Sequence, residues 1–198
     1  MSQHINLGDI VNIVFDNKDV DILNLNGNTI WKRESENPVA KLISRTIKKI
    51  DGELTQEITA IGRNVFQGCT LLESVKIPSS VKTIGINAFS ECTALTEIVI
   101  PDGVTVLEGG VFAQCSSLTH ITIPSGVTKL DINLFIGCSS LTEMTVLPTT
   151  PPSLASGAVS GATTTIYVPS ESLDAYKSSA TWGALMTRET NPVTFVGI

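Results

Sequence analysis

The chain has 198 residues, the length of one ordinary domain or two small ones, and its 42% hydrophobic and 16% charged residues supply a sizeable core, which excludes wholesale disorder. A net charge of −6 repels phosphate backbones, and 5% aromatic residues are too few for a stacking platform, so nucleic acid is excluded as an expected partner. No apolar run approaches the roughly 18 residues of a membrane span, and the start, Met1-Ser2-Gln3-His4-Ile5-Asn6, lacks the basic region and apolar core expected of a signal peptide.

Residues 1–32 are expected to form a small antiparallel β module. Asn26-Gly27 stands between Ile22-Leu23-Asn24-Leu25 and Thr29-Ile30-Trp31. That dipeptide is a strong hairpin signal because both residues accept positive φ. Ten residues earlier, Phe15-Asp16-Asn17-Lys18-Asp19-Val20 echoes Leu25-Asn26-Gly27-Asn28-Thr29-Ile30, so two or three short hairpins are expected. Over about 25 residues this stretch resembles the I-Y-L-G-D-x-x-V…I-Y-x-N-G-x-x-I-W segments of bacteriophage and prophage structural proteins. The resemblance implies a virion setting. Short hairpins are marginal alone and gain stability by pairing their edges, so residues 1–32 are the expected docking or homo-oligomer contact. Residues 33–57 open with the polar linker Arg33-Glu34-Ser35-Glu36-Asn37-Pro38. Leu42 to Leu54, carrying Ile43, Ile47 and Ile50, reads as a partial first repeat or an N-terminal cap.

From residue 58 to 148 the chain repeats itself. Phe66, Phe89, Phe112 and Phe135 are spaced by 23, and so are Cys69, Cys92, Cys115 and Cys138. Leu72, Leu95, Leu118 and Leu141 form another column. Further columns are Val75, Ile98, Ile121 and Met144, then Ile77, Ile100, Ile123 and Val146. Earlier in each unit come Ile58, Val81, Val104 and Val127, then Ile61, Ile84, Leu107 and Leu130. Each L-x-x-I-x-I reads as a short strand with inward residues at alternate positions. Pro78, Pro101 and Pro124 then remove a backbone donor and stop the strand. One unit cannot bury its apolar face alone, so the units stack as parallel coils around a shared core. The acidity lies mainly here: residues 56–148 hold 4 Lys+Arg and 8 Asp+Glu, hence −4.

The stretch IGINAFSECTALTEIVIPDGVTVLEGGVFAQCSSLTHITIP resembles the BspA-type bacterial leucine-rich repeat, A-F-x-x-C-x-x-L-x-x-I-x-I-P-x-x-V-x-x-I-G. The resemblance implies a curved solenoid, often on cell surfaces, used for adhesion or protein interaction, and no enzyme.

Residues 149–198 are read as a degenerate fifth repeat and a C-terminal cap. Ala158-Val159-Ser160-Gly161 replaces A-F-x-x-C, with Val159 for Phe and Ala162 for Cys, and the strand Ile166-Tyr167-Val168-Pro169 comes two residues early. Ser170 is expected to cap a helix through about Thr181, with Leu173, Tyr176 and Ala180 on one face and Trp182 on the open end.

The fold expected is therefore a β-rich leucine-rich-repeat solenoid with a small N-terminal antiparallel module and a C-terminal helical cap. No motif implies catalysis. The cysteines are spaced 23, 23 and 23, unlike the clustered pairs of a zinc site, and are expected to be a buried ladder of free thiols. His4 and His120 are far apart, and no nucleophile with a partnering base is visible. Glu73, Glu97 and Glu143 recur at one repeat position as a solvated edge. No metal and no cofactor are implied. The candidate binding face consists of the outward strand positions Ser74, Lys76, Glu97, Val99, His120, Thr122, Glu143 and Thr145. The expected partner is a protein, a virion or cell-surface component, or a surface glycan. Two settings follow: a phage fibre, tail or head-attached protein, or alternatively a bacterial cell-surface or secreted adhesin whose signal peptide has been removed.

Overall fold

A computed structural model describes residues 59–198 except 78, 160 and 161, together with the backbone of four strands between residues 12 and 50. The first three, β1 (Asn12–Asp16), β2 (Asp19–Leu25) and β3 (Asn28–Lys32), form an antiparallel sheet in that order. Two-residue connections join them, with Asp16 paired to Asp19 and Leu25 to Asn28. The tip residues Asn26 and Gly27 lie outside the described residues, as does most of the 33–57 segment.

The repeats form a parallel β-solenoid of about five turns with a spacing of about 23 residues. Each coil has three sides. The L-x-x-I-x-I segment gives a long strand: β4 (Lys49–Ile50), β6 (Ser74–Lys76), β8 (Glu97–Val99), β10 (His120–Ile123), β12 (Glu143–Val146) and β14 (Thr165–Val168). After the proline corner a two-residue return strand follows: β5 (Ala60–Ile61), β7 (Thr83–Ile84), β9 (Val106–Leu107), β11 (Lys129–Leu130) and β13 (Ser153–Leu154). A tight turn carrying the Phe and Cys positions closes the coil. β4 pairs with β6 through Lys49 and Ser74, so the ladder begins before Ile58.

The turn needs two left-handed residues per coil. Asn64, Asn87 and Asn133 occupy the first position at φ of 60°, 55° and 53°, and Gly110 takes it at 67°. Asn suits this conformation because its short amide bonds locally. Glu91 and Gln114 occupy the second at 62° and 61°. Neither residue type favours it, so coil-to-coil bonding must hold them there: the Glu91 amide donates to Ala113 O at 2.7 Å and the Gln114 amide to Ile136 O at 2.7 Å.

The core runs down the axis. Phe89, Phe112 and Phe135 are fully buried, and the stack from Phe66 has centroid spacings of 5.1, 5.9 and 5.5 Å with rings within 10° of parallel. All four cysteines are free and buried. The thiols are more than small hydrophobes. Cys92 Sγ donates to Phe66 O at 3.1 Å, Cys115 Sγ to Phe89 O at 3.2 Å, and Cys138 Sγ to Phe112 O at 3.0 Å. These three thiols thus tie their coils to the preceding ones.

The fifth coil keeps both ladders by gaining one residue before its return strand and losing two between that strand and the long strand. Ser153 pairs with Lys129, an offset of 24, whereas Thr165 pairs with Glu143, an offset of 22. Thr163 takes the place of Leu141 in its coil; its hydroxyl, fully buried, donates to Leu141 O at 3.0 Å.

The C-terminal cap differs from the sequence reading in four respects. The α-helix α1 spans only Leu173–Ser178, after a 3₁₀ turn at Ser170–Ser172. Ser178 Oγ bonds back to Asp174 O at 2.6 Å and Ser179 is extended, which ends the helix three residues before Thr181. Ser170 does not cap: Pro169 holds that position and no side chain bonds the first turn. Trp182 is fully buried rather than lying on the open end; its Nε1 donates to Pro152 O at 2.7 Å and it packs edge-on to Tyr176 at 5.3 Å. Finally β15 (Thr194–Gly197), which the sequence reading did not anticipate, adds a parallel strand beside β14.

Candidate functional site

Side chains alternate along a strand, so the inward Val, Ile and Met columns leave two outward positions per long strand. These form two rows across the sheet. Ser74 pairs with Glu97 and Lys76 with Val99. His120 pairs with Glu143 and Thr122 with Thr145. The 23-residue spacing continues the rows from β8 to β10, which lie side by side. Lys76, Glu97, Val99, His120, Thr122 and Glu143 are exposed, while Ser74 and Thr145 are half-buried. Val99 is 75% exposed, the most exposed large apolar side chain among the described residues. All eight sequence-derived face residues therefore share one surface.

The rows extend further than the sequence reading carried them. Thr165 and Thr194 continue the first, Tyr167 and Val196 the second. Tyr167 lay in a strand already recognised. The signal for Val196 was the alternation Val193-Thr194-Phe195-Val196 after Pro192.

One grouping is corrected. Ser74, not Glu73, stands beside Glu97. Glu73 belongs one position earlier, where its carbonyl accepts from the Thr96 amide at 3.0 Å. Glu97 and Glu143 share the first row, with His120 between them. His120 Nδ1 lies 3.5 Å from Thr119 Oγ1. The row is charged but open to water, where ion pairing contributes little.

The remaining titratable chemistry lies elsewhere. On the return strand Lys129 Nζ meets Asp131 at 2.9 Å, and this contact holds the Asp131 carboxyl below its usual range. The thiols are shifted the other way. A hydrogen bond with Cys69 and then burial raise Cys92, burial raises Cys115, and burial pushes Cys138 up to about 12. A raised thiol is a poor nucleophile and a poor metal ligand. Among the described residues no cluster of three or more His, Cys, Asp or Glu is placed to hold a metal ion. No helix among them is long and apolar enough to cross a membrane.

Comparison with known proteins places this geometry. A model of the BspA type leucine rich repeat region matches six copies over residues 44–167. The leucine-rich-repeat protein TpLRR of T. pallidum is 30% identical, covers 61% of this chain and superposes with a TM-score of 0.56. A leucine-rich cell surface protein of Faecalibacterium prausnitzii is 27% identical over 77% of the chain, with a TM-score of 0.49. The pneumococcal vaccine antigen PcpA shares the fold at 19% identity over 62% of the chain, with a TM-score of 0.53. The chain spans 58%, 33% and 30% of the lengths of these three. A comparison with curated proteins finds no match. With the family pattern covering well over half of its length, the chain belongs to the BspA-type leucine-rich-repeat family.

Proposed function

We propose that this is a non-enzymatic recognition module of a bacterial surface or secreted protein, and that its long-strand face binds a protein partner. Family membership supports a recognition role. The observation that carries the choice of face is Val99, 75% exposed and set among the polar side chains of Lys76, Glu97, His120 and Thr122. A β-branched side chain fixed on a packed sheet loses little entropy when a partner covers it. Around it Lys76, Thr122 and Glu97 supply a polar rim, the arrangement expected of a binding patch. The virion setting drawn from residues 1–32 receives no support from the comparisons, and the adhesin alternative is the reading adopted. Residues 1–32 retain the proposed role of anchor or self-association segment.

The test uses beads carrying the whole chain, passed over layers of epithelial cells and of bacterial cells. The expected result is retention on one layer and a loss of tenfold or more for Val99→Arg with Thr122→Arg. The exposed return-strand change Lys129→Ala should leave retention intact. Protease treatment of the layer should abolish retention, whereas loss only after glycosidase treatment would replace the protein partner by a glycan. Absence of retention on both layers, or equal retention of the double variant, overturns the reading.

A further inference from the structure

Successive coils are tied by backbone bonds at equivalent positions, and along the two strand sides one coil pair among the described residues departs from the pattern. On the long-strand side the amides of Thr96, Thr142, Thr164 and Thr194 donate to the carbonyls of Glu73, Thr119, Thr142 and Thr164, at 2.8–3.1 Å. The equivalent bond from Thr119 to Thr96 is not formed. Instead the Thr119 hydroxyl lies beside His120, whereas the Thr96 hydroxyl donates back to Glu73 O at 3.2 Å. β8 and β10 remain neighbours but belong to separate ladders, β4-β6-β8 and β10-β12-β14-β15.

The return side shows the same discontinuity between the same coils. The amides of Lys82, Thr128 and Ser153 donate to Thr59, Thr105 and Thr128 at 2.7–3.0 Å. No such bond joins Thr105 to Lys82. β7 pairs with β9 through Ile84 and Leu107 alone, whereas β5–β7, β9–β11 and β11–β13 each pair through two residues. The Phe89–Phe112 spacing, 5.9 Å, is the widest in the stack.

The turn side is unbroken. Asn87, Phe89 and Glu91 donate to Gly109, Val111 and Ala113 at 2.7–3.1 Å. Cys115 Sγ reaches Phe89 O at 3.2 Å and Ser116 Oγ reaches Thr93 O at 3.4 Å. The two coils are therefore fastened along one edge and loosened along two.

We propose that the junction between the Phe89 coil and the Phe112 coil is a hinge. Its axis is the bonded turn from Asn87 to Thr93, and it opens along the strand sides at β8 and β10. The loosened strands carry Val99 and Thr122, so opening changes the spacing of the outward rows at that point. The hinge rests on the bonding pattern and does not depend on what the face binds.

Native-state hydrogen exchange on the full chain, read amide by amide, tests this. Opening free energies differ between local units of a fold, and amides without acceptors exchange through the smallest openings. Residue type is matched, because the comparison is threonine with threonine. After correction for intrinsic rates, Thr119 should exchange at least tenfold faster than Thr96, Thr142 and Thr164, and Thr105 at least tenfold faster than Thr128. The amides of Phe89 and Glu91 should stay as protected as that of Phe112. Protection of Thr119 and Thr105 within threefold of their counterparts overturns the hinge. So does loss of protection at Phe89 and Glu91 together with Thr119, which would mean separation of the coils without an axis.

Discussion

Truncating Phe112 to Ala tests whether the aromatic column holds the coils together. Phe112 is fully buried, with Phe89 centred 5.9 Å away on one side and Phe135 at 5.5 Å on the other. Removing the ring deletes its transfer free energy and leaves a cavity, together about 3–5 kcal/mol for a buried Phe. The upper half of that range applies here. The two flanking rings cannot close the gap, because the Phe112 amide is bonded to Leu134 O at 3.1 Å and the Phe89 amide to Val111 O at 2.9 Å. Two near-parallel ring contacts are also lost, each worth about 0.5–1.5 kcal/mol beyond area. With a urea slope of about 2 kcal/mol per molar, a loss of about 4 kcal/mol lowers the midpoint by about 2 M. The assay is urea unfolding followed by circular dichroism, with Ile132→Ala as control. Ile132 is 53% exposed, and its truncation should cost within about 0.5 kcal/mol. A Phe112→Ala midpoint shift below about 0.5 M at unchanged slope would refute the argument that the stack bears on stability.

The four thiols should resist labelling in the native protein and react together once it is unfolded; rapid labelling of any of Cys92, Cys115 or Cys138 would contradict their burial. Cys115→Ser should cost about 1 kcal/mol, measured by the same unfolding, because the hydroxyl inherits the Phe89 carbonyl as acceptor. A cost above about 3 kcal/mol would show that the shorter side chain does not reach it. Alkali should destabilise the fold. Cys138 rises from 9.0 to about 12, the hydrogen bond with Cys69 and then burial raise Cys92, and burial raises Cys115 and the Tyr176 phenol in the same direction. Groups raised in the folded state bind protons that the unfolded chain releases, so their stabilisation is complete below about pH 9 and is lost as pH rises toward 12. Midpoints at pH 7.5 and 10.5 check this, and an unchanged midpoint would refute it.

The sequence by itself determined the period, and with it the solenoid. Seven apolar columns repeat every 23 residues, and only stacked coils bury every column at once. The prolines fixed where each long strand stops, and alternation fixed which side chains face out, so the face from Ser74 to Thr145 was legible in the residue pattern alone. Local pattern could not decide how the coil ends are sealed. Trp182 reads as lying on the open end, yet it is fully buried, with its indole N–H bonded to the carbonyl of Pro152, thirty positions earlier. β15 follows an offset of 29 rather than 23, from Thr165 to Thr194, because α1 and a 3₁₀ turn at Gly183–Thr187 are inserted before the ladder resumes. The left-handed Glu91 and Gln114 likewise follow from bonds to the next coil and not from their own preferences. The discontinuity between Thr96 and Thr119 lies deepest of all. The columns continue through it unchanged, and whether two amides meet depends on the fit of whole coils, a sum over many contacts that no single repeat encodes.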